Sequence, residues 1–531
     1  MAKAEPPISR HVYCDGTAST RGSRKIHRFI VKFGTLFISL SAMMFALMVP
    51  VFAQVAPKPV MVHYMPWFQS PYSLGSDKWG YHWTLNHFNP NRINSTNGED
   101  EVASWYYPLI GPYDSSDPAV LEYHVLLMKL GGIDGVIVDW YGPDDYYDYA
   151  LNNERTIDIY TYAEKAGLKF SLCYEDATIP AEIGGGCLNG VCVTASNAIA
   201  HAQSEMLYAQ HNFFGGANYL EWQSHPVLLN FGPHYFTASA SWSSIFSVLN
   251  ASNVPALFTE NNFLSPAGVG AFDWPPMQLS RTTAQSPAKP VLSGAAITGY
   301  LARFDASAAA WPAYISTAFP RFHDIYAQAG VESSYGYLAD RSGNTLRETL
   351  GRAMTNASAI IQVATWNDYG EGTVVEPTAT GGEPGTAYGY TDLGIIQDFR
   401  RQYLDSTFPY HTNDLALALR QYNLRKKYPG NVSVAAQLDR IFTNIISGNL
   451  VTANAQLSGL EAARPVIYNL SAANLQPPAS NGGCLPALSH VEISTDLLSM
   501  QSAQSSPAGT NQLTLRTDGS QPMSRFFKAI P

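Results

Sequence analysis

Gly135-Val136-Ile137-Val138-Asp139 is a short apolar run that ends on a carboxylate, and Trp140-Tyr141-Gly142 follows it directly. Val and Ile favour the pleated, buried surface of a strand, and Gly favours a turn at which the strand stops. Longer amphipathic stretches lie on both sides of the run. A strand flanked by helices is typical of a βα unit in a parallel sheet.

The same unit recurs from residue 59 to residue 366, which predicts a (β/α)8 TIM barrel of the α/β class. Helix-like segments separate most of the neighbouring strands. The candidate strands are residues 60–64, 135–139, 169–174, 226–230, 256–259, 270–273, 314–318 and 360–366.

Composition and periodicity divide the chain into four predicted parts. Residues 391–404 are predicted as a closing helix, and residues 413–463 as two or three further helices with a break at Pro429-Gly430. From about residue 475 the sequence is rich in Ser, Gln, Pro and Gly without periodicity, which is typical of a loosely ordered tail. The predicted parts are 1–53, an export segment; 54–408, the barrel; 409–465, a small helical appendage; and 466–531, a low-complexity tail.

The N-terminal segment has the pattern of an export signal. Basic residues precede the uncharged, mostly apolar run 33–52, which ends in Val51-Phe52-Ala53, a pattern of the signal-peptidase type. The run is also long enough to span a bilayer. The sequence therefore predicts a secreted or periplasmic protein with a cleaved signal peptide, or one held at the membrane by an uncleaved anchor. A membrane is an expected partner only in the second case.

Charged residues make up 14% of the chain and aromatic residues 12%, with 31 Tyr and 10 Trp. The balance is that of a globular protein, and the aromatic excess suits a sugar-binding cleft, although most individual rings are expected to pack in the core. The formal net charge is −10, and no stripe of Lys or Arg occurs outside the N-terminal arm. Nucleic acid is therefore not an expected partner.

None of the five cysteines has the spacing or the His neighbours of a zinc site, so we expect neither a metal nor a cofactor. Cys187 and Cys192 flank a short Gly-rich loop. In an oxidising compartment they could close that loop as a disulfide, and two free thiols are the alternative.

The most specific motif follows the eighth candidate strand and reads Trp366-Asn367-Asp368-Tyr369-Gly370-Glu371-Gly372-Thr373. Asp368 and Glu371 are three apart, so in a helical or tight turn both carboxylates point to one side. Strand ends face the active site of a TIM barrel, and a carboxylate pair suits glycosidic cleavage because one member donates a proton while the other stays ionised. The alternative is an Asx turn followed by a solvated glutamate.

Several stretches of residues 59–405 resemble glycoside hydrolase family 99, the endo-α-mannosidase and mannanase family, and its relative family 71, the α-1,3-glucanases. The strongest is YYPLIGPYDSSDPAVLEYHVLLMKLGGIDGVIVDWYGP, residues 106–143, which looks like the family 99 segment leading into the second strand. The others are YMPWF at Tyr64, His82-Trp83, Glu175 and WNDYGEGTVVEP at Trp366. Asp368 departs from family 99, which has a glutamate there, and is similar to family 71.

The resemblance to family 99 implies that Glu371 is the general acid and later the base. It implies that the first carboxylate, here Asp368, deprotonates the 2-hydroxyl of the sugar, which attacks to form a 1,2-anhydro intermediate with retention. Because Asp368 is one methylene shorter than Glu, an inverting mechanism in which it activates water is the alternative.

Substrate-binding residues are predicted from the strand ends and from the matched motifs. For stacking on sugar faces we predict Tyr64, Trp67, Trp83, Trp140 and Trp274. For recognition of hydroxyls we predict His82, Asp139, Glu175, Asn230, Glu260 and Asp273, with Trp366 and Asn367 beside the catalytic pair.

The sequence thus predicts a glycosidase that cleaves α-linked sugars of an oligosaccharide or polysaccharide, either an α-mannoside or an α-glucan. An inverting α-1,3-glucanase is the rival within the enzymes. A barrel that binds carbohydrate without turnover is the rival from another class, and the intact pair of Asp368 and Glu371 argues against it.

Overall fold

The structure is a computed structural model that describes residues 58–281, 291, 293–381 and 388–462 apart from residues 96 and 189, together with five short strands between residues 466 and 530. The predicted export segment lies outside the described residues and stays a prediction. Within the part of the chain that is described, no helix is long and apolar enough to cross a membrane.

Eight parallel strands close into a barrel, as predicted. Each strand pairs with its neighbours in chain order, and the ring closes where the first strand pairs with the eighth. The strands are β1 Val60–Tyr64, β2 Gly135–Trp140, β3 Lys169–Tyr174, β4 His225–Asn230, β5 Ala256–Glu260, β6 Gly270–Phe272, β7 Ile315–Ala318 and β8 Ile360–Val363.

Helices follow most of the strands and cover the barrel. The longer ones are α1 Pro118–Gly131, α2 Tyr149–Ala166, α3 Ala198–Ala209, α4 Ser239–Phe246, α5 Gly294–Ala308, α6 Asn344–Thr355, α7 Thr391–Tyr403, α8 Ala416–Lys427, α9 Val432–Ile446 and α10 Leu450–Ala462. Single helical turns occur at Pro71–Leu74, Tyr81–Thr84, Thr178–Glu182, Gln210–Phe214, Ala251–Asn253, Met277–Ser280, Tyr326–Ala329 and Thr412–Leu415.

Helix α1 shows how local sequence sets the helix ends. The side chain of Asp117 accepts a hydrogen bond from the backbone N–H of Ala119, and Pro118 occupies the first turn, where its missing N–H costs nothing. Gly132 ends the helix with a φ of 80°, a left-handed conformation that glycine adopts without steric cost. Helix α8 then packs on α1 through an ion pair between Arg425 and Glu122.

Short antiparallel strands lie outside the barrel. Tyr106–Pro108 pairs with Thr378–Gly381, Cys187–Leu188 with Val191–Cys192, Glu221–Trp222 with β4, and Phe322–His323 with Tyr337–Leu338. Cys187 and Cys192 form a disulfide, which resolves the pairing that the sequence left open. The strands beyond residue 462 are Val466–Leu470, His490–Ser494, Met500–Ala503, Leu513–Thr517 and Phe526–Ile530. The predicted domain boundaries remain predictions.

Strand β8 is shorter than predicted, because it ends at Val363 and not at residue 366. The backbone beyond it forms a separate hairpin. Thr365 donates its N–H to the carbonyl of Thr373, and Glu376 donates its N–H to the carbonyl of Trp366. The Asp368 segment therefore belongs to a loop that folds back on itself above the strand.

Side chains along the strands alternate between the barrel interior and the surrounding helices. Met61, Ile137, Cys173, Leu229 and Phe258 belong to one buried cluster, to which inward positions of the strands contribute. Their neighbours in sequence, Val62, Val138, Leu172 and Asn230 among others, have the opposite orientation, because side-chain direction in a strand reverses at every residue. Val62, Val138 and Leu172 pack in the cluster that contains the helices.

The start of β2 gives a test of this close packing. A Cβ built on Gly135 would lie 2.2 Å from the carbonyl oxygen of Lys169 on β3. We therefore expect Gly135→Ala to lower the free energy of unfolding by about 1–3 kcal/mol, as overpacking does. Gly299→Ala is the matched control, because Gly299 lies in α5 with nothing within 4 Å of its Cβ position. It should raise the free energy of unfolding by about 0.5–1 kcal/mol. Urea unfolding measures both, and equal effects of the two variants would contradict the packing.

Candidate active site

The loop after β8 holds its two carboxylates through backbone hydrogen bonds. Asp368 donates its N–H to the hydroxyl of Thr365 at 2.8 Å. In turn, Glu371 donates its N–H to Oδ1 of Asp368 at 3.0 Å. The side chain of Asp368 therefore forms a local turn of the kind given above as the alternative interpretation. Glu371 is nevertheless partly buried and Asp368 is only 5% exposed, so the pair lies in a shielded place.

The turn is fixed against the segment that follows β7. His323 donates its N–H to the carbonyl of Glu371 at 2.8 Å, and Ile325 donates its N–H to the carbonyl of Gly370 at 3.0 Å. Gly372 has a φ of 68°, and a Cβ there would lie 2.5 Å from the ring of Tyr106 and 2.6 Å from the carbonyl of His323. Position 372 therefore needs glycine for both its conformation and its space.

Asn367 joins the loop after β8 to the loop after β1. Its Oδ1 accepts a hydrogen bond from the N–H of Met65 at 2.8 Å, and its Nδ2 donates to the carbonyl of Met65 at 3.0 Å and to the hydroxyl of Tyr113 at 3.1 Å. Asn367 has no exposed surface. It was predicted to bind substrate, and we instead assign it the positioning of Asp368.

Glu376 is the buried anchor of the same loop. Its Oε2 accepts hydrogen bonds from the hydroxyls of Tyr113 at 2.9 Å and Tyr369 at 3.0 Å, and its Oε1 lies 3.1 Å from Nε2 of His124. The side chain is 2% exposed. Because its oxygens have partners, Glu376 stabilises the loop and is not a candidate for the cleft.

Carboxylates from other strands lie near Asp368 and Glu371. We call the whole group the acidic cleft: Asp139, Glu175, Glu260, Asp368 and Glu371. Their proximity is evident from their pKa values. Burial, and then the charges of Asp139, Asp176, Glu260 and Glu371, raise the pKa of Glu175 well above its usual range. Burial also raises the pKa of Glu260, against the opposing charge of His234. The prediction that Asp139, Glu175 and Glu260 recognise substrate hydroxyls stays a prediction.

The two carboxyls of the β8 loop are electrostatically different. Burial raises the pKa of Asp368 to about 6, while hydrogen bonds from the backbone amides of Glu371 and Gly370 oppose that rise by favouring the anion. Burial, and then the negative charge of Asp368, raise the pKa of Glu371 well above its usual range. Because the negative charge of Asp368 raises the pKa of Glu371, Asp368 is the carboxyl of the pair that ionises first as the pH rises.

The floor of the cleft contains Asp139, His63 and Trp274. Nε2 of His63 lies 4.0 Å from Oδ1 of Asp139, and its ring packs edge-on against Trp274 with centroids 5.1 Å apart. Burial raises the pKa of Asp139 to about 8, a hydrogen bond to Tyr141 opposes the rise, and the charge of Asp368 adds to it. Burial lowers the pKa of His63 to about 4, so this imidazole is neutral.

Two predicted sugar-binding rings lie at the rim. Trp67 and His82 are stacked, with centroids 4.2 Å apart and planes 7° from parallel. Nε2 of His82 lies 3.6 Å from Asp148. Both rings are partly exposed, so they remain candidates for contact with substrate.

Four predicted site residues point toward the helices and away from the cleft. Tyr64 shares a hydrogen bond with Nδ1 of His124 at 3.1 Å, and Trp140 donates from Nε1 to Asn153 at 3.0 Å. Both rings are completely buried. We therefore assign Tyr64 and Trp140 to the core, where they cannot stack on a sugar.

The polar members of this group are Asn230 and Asp273. Asn230 donates from Nδ2 to the carbonyl of Tyr174 at 2.9 Å, and Asp273 accepts from Arg352 on α6 at 2.6 Å. Neither has any exposed surface. Asn230 thus bonds to the neighbouring strand β3 and Asp273 to helix α6, and neither side chain reaches the acidic cleft as was predicted.

Trp83 and Trp366 are also buried in the core. Trp83 donates from Nε1 to the carbonyl of Tyr113 at 2.7 Å and packs on Phe68, with centroids 4.2 Å apart. Trp366 has no exposed surface and packs edge-on against His124, with centroids 5.5 Å apart. Both support the loops of the site from below and do not reach substrate.

Sequence reasoning missed His63 and Tyr141. They stand one before Tyr64 and one after Trp140, and strand alternation turns them to the face opposite those two residues. Counting in steps of two from the interior residues Met61 and Ile137 would have found both.

A wall of aromatic rings beside Glu371 was missed as well. Trp105, His323 and Tyr337 form a continuous stack, with centroid distances of 4.8 Å and 3.9 Å. Tyr326 lies near Asp368 and Glu371, because a Cβ on Gly370 would be 3.5 Å from both the hydroxyl of Tyr326 and Oδ1 of Asp368. These residues come from chain segments more than 200 positions apart, and no local pattern marks them.

Comparison with known proteins bears on the first part of the barrel. The model of Glycosyl hydrolase family 99 matches residues 57–177. A glycoprotein endo-alpha-1,2-mannosidase-like protein of Danio rerio is 33% identical over 89 residues, which are 16% of this chain and 20% of that protein. A glycoprotein endo-alpha-1,2-mannosidase of Xenopus laevis is 29% identical over 123 residues, which are 22% of this chain and 27% of that protein.

Among solved structures, the GH99 endo-alpha-mannosidase from Bacteroides thetaiotaomicron is 16% identical with a TM-score of 0.45, covering 66% of this chain and 98% of that one. The predicted resemblance to family 99 is confirmed over residues 57–177. That range includes β1 to β3 with Asp139 and Glu175, and it ends before the β8 loop. The chain matches only about a fifth to a quarter of the length of these vertebrate relatives.

The raised pKa of Asp139 makes a prediction about stability. Because the pKa of about 8 in the fold lies above the unfolded value, Asp139 contributes full stability below about pH 4 and loses it as the pH rises toward 8. Because asparagine cannot ionise, the free energy of unfolding of Asp139→Asn should not fall in this way. We expect its difference from wild type to increase by at least about 1 kcal/mol from pH 5 to pH 8. Asp398→Asn is the control, since Asp398 is 67% exposed. Urea unfolding at each pH measures the differences, and parallel profiles for wild type and Asp139→Asn would refute the shift.

Proposed function

We propose that this chain, which resembles glycoside hydrolase family 99 from β1 through Glu175, is a glycosidase that acts on α-mannosyl substrates with Glu371 as general acid and Asp368 as base. The observation that carries the proposal is the turn after β8, in which the N–H of Glu371 donates to Oδ1 of Asp368 and favours its anion, while burial and the charge of Asp368 raise the pKa of Glu371. Pairs of carboxyls whose environments separate their pKa values are typical of acid and base assignments in glycosidases.

Glu371 is suited to donate a proton. Burial, and then the negative charges of Asp368, Asp324 and Glu260, raise the pKa of its carboxyl well above the usual range. The glycosidic oxygen is a poor leaving group unless it is protonated. A carboxylic acid in a shielded cleft can supply that proton. The backbone bond from His323 to the carbonyl of Glu371 holds this residue in place.

Asp368 is suited to accept a proton. Its anion is stabilised by the backbone amides that its turn presents, so it is ionised under conditions in which Glu371 is protonated. In the route implied by family 99, Asp368 takes the proton of the sugar 2-hydroxyl, and O2 attacks C1 while Glu371 protonates the leaving oxygen. Glu371 then deprotonates the water that opens the 1,2-anhydro ring, and Asp368 returns its proton to O2.

The rest of the cleft supports a sugar as the substrate. Glu175 and Glu260 offer acceptors for hydroxyl groups, and Trp274 at the floor and Trp67 with His82 at the rim offer apolar ring faces. Rings combined with carboxylates are the usual composition of a sugar site. The names of the relatives favour an α-mannosyl group over an α-glucosyl group, and α-1,3-glucan is the alternative substrate.

We expect Glu371→Gln to lower turnover of an unactivated α-mannoside by about 10²–10⁴-fold, because the amide keeps the shape and lacks the proton. Binding of an oligosaccharide, measured by calorimetry, should survive. Glu154→Gln is the matched control, since Glu154 is an exposed residue of α2, and it should keep wild-type turnover. A Glu371→Gln variant with more than about a tenth of wild-type turnover would show that Glu371 is not the acid.

The role of Asp368 is tested by the product. If Asp368 deprotonates the 2-hydroxyl, the first product keeps its anomeric configuration. A 2-deoxy substrate should then lose much more than the ~0.5–1.5 kcal/mol of one hydrogen bond. Proton NMR in the first minutes, before mutarotation, reads the anomer. An inverted product together with turnover of the 2-deoxy substrate would replace this route by water activation, with both carboxylates still catalytic.

A further inference from the structure

A second group of titratable side chains lies behind the acidic cleft and takes no part in the proposed chemistry. It comprises Asp144, Glu182, His201 and Glu205, each buried, with one ligand atom of every residue within 4.8 Å of the others. We call this group the His201 cluster.

The cluster joins three chain segments. Asp144 lies in the loop after β2, Glu182 ends the helical turn Thr178–Glu182 after β3, and His201 and Glu205 are one turn apart on α3. Residues four apart in a helix share one face. The loop after β2 starts two residues beyond Asp139 and the loop after β3 starts at Glu175, so the same two loops connect the cluster to residues of the acidic cleft.

The three carboxylates of the cluster are buried and repel one another. Asp144, Glu182 and Glu205 have no exposed surface and His201 is 5% exposed. Even a protonated imidazole would balance only one of the three carboxylates. Burying unpaired charges raises the free energy of the folded state. Proteins avoid this by protonating the groups, by pairing them with an opposite charge or by binding a metal ion.

The hydrogen bonding of the cluster is incomplete. Among the residues that the structure describes, neither oxygen of Asp144 nor of Glu182 has a hydrogen-bond partner, and the same is true of Oε1 of Glu205. Nε2 of His201 lies 3.2 Å from Asp144 and 3.3 Å from Glu182. A single N–H cannot point at both, and Nε2 also forms no aligned hydrogen bond.

These separations match a metal site better than a hydrogen-bonded one. Tetrahedral ligands at about 2.0–2.1 Å from an ion lie roughly 3.3 Å from one another. The two measured separations from Nε2 have this value. The remaining oxygen of Glu205, Oε2, accepts a hydrogen bond from the hydroxyl of Tyr174, and such a bond orients a carboxylate that binds metal.

We propose that Asp144, Glu182, His201 and Glu205 bind one divalent cation of the class that includes Mn²⁺ and Zn²⁺. One imidazole nitrogen with three carboxylates suits these ions, whereas Ca²⁺ and Mg²⁺ prefer all-oxygen sites. The ion neutralises the buried charge and ties the loops after β2 and β3 to α3. Its role is structural, because the acidic cleft has its own acid and base.

The test uses the full chain, stripped with a chelator and then titrated separately with Zn²⁺ and Mn²⁺. We expect one equivalent of at least one of these ions to bind, measured by calorimetry and elemental analysis, and the Tm to rise by a few degrees. Proton release on binding is expected if the imidazole or a carboxyl was protonated. The wild-type experiment needs no variant. Failure of both ions to bind, or binding of Ca²⁺ alone, overturns the proposal.

Variants locate the ion. His201→Asn and Glu182→Gln should each weaken binding by about 100-fold or more, since even residues that only orient a ligand cost 10–100-fold. His211→Asn is the matched control, because His211 is exposed on the helical turn that continues α3. Unchanged binding in both cluster variants, or equal loss in His211→Asn, overturns the assignment. Circular dichroism of the stripped variants shows that they are folded.

Discussion

The alternation of side chains along the barrel strands is the constraint on which the site depends. Inward residues form the apolar interior, and the position two residues further along the same strand reaches the cleft. Ile137 is followed in this way by Asp139, and Cys173 by Glu175. The packing of the interior therefore fixes the height and direction of the carboxylates. A shift of one residue in a strand would exchange each of them for a side chain that packs against a helix.

This alternation also explains how far the sequence could predict the molecule. The eight strands were predictable because each is a compact apolar run between amphipathic stretches, and their observed bounds differ by at most three residues. Asp139, Glu175, Glu260 and Trp274 were predicted at the cleft and have inward positions. Tyr64, Asn230 and Asp273 were chosen as the last residues of their predicted strands, and Trp140 as the residue after its predicted strand, in each case without regard to face. Their side chains point away from the barrel interior. Their polar atoms therefore bond to residues of helices α1, α2 and α6 and of the neighbouring strand β3.

Contacts that join distant parts of the chain could not be predicted from local pattern. Asn367 forms hydrogen bonds with the backbone of Met65, which is 302 positions away in the sequence. The carboxylate of Glu376 contacts the side chains of Tyr113, Tyr369 and His124. Neither residue has a neighbour in sequence that indicates these partners. The His201 cluster also joins distant segments of the chain. Only His201 and Glu205 have a helical spacing, while Asp144 and Glu182 lie in two other segments. A search for closely spaced cysteines and histidines passes over such a group.

The shape of the β8 turn distinguishes its two carboxyls, and this difference underlies the acid and base roles that we propose. Both carboxyls are buried, and burial alone would raise both pKa values. Asp368 differs because backbone amides of Gly370 and Glu371 donate to it and favour its anion, whereas like charges dominate around Glu371. Aspartate suits this arrangement, since its short side chain reaches the amide three residues ahead as a helix-capping aspartate does. A glutamate at this position would carry its carboxyl one methylene further from those amides. The aspartate that departs from the family 99 pattern is thus the residue whose anion this turn stabilises, which suits the base that we propose.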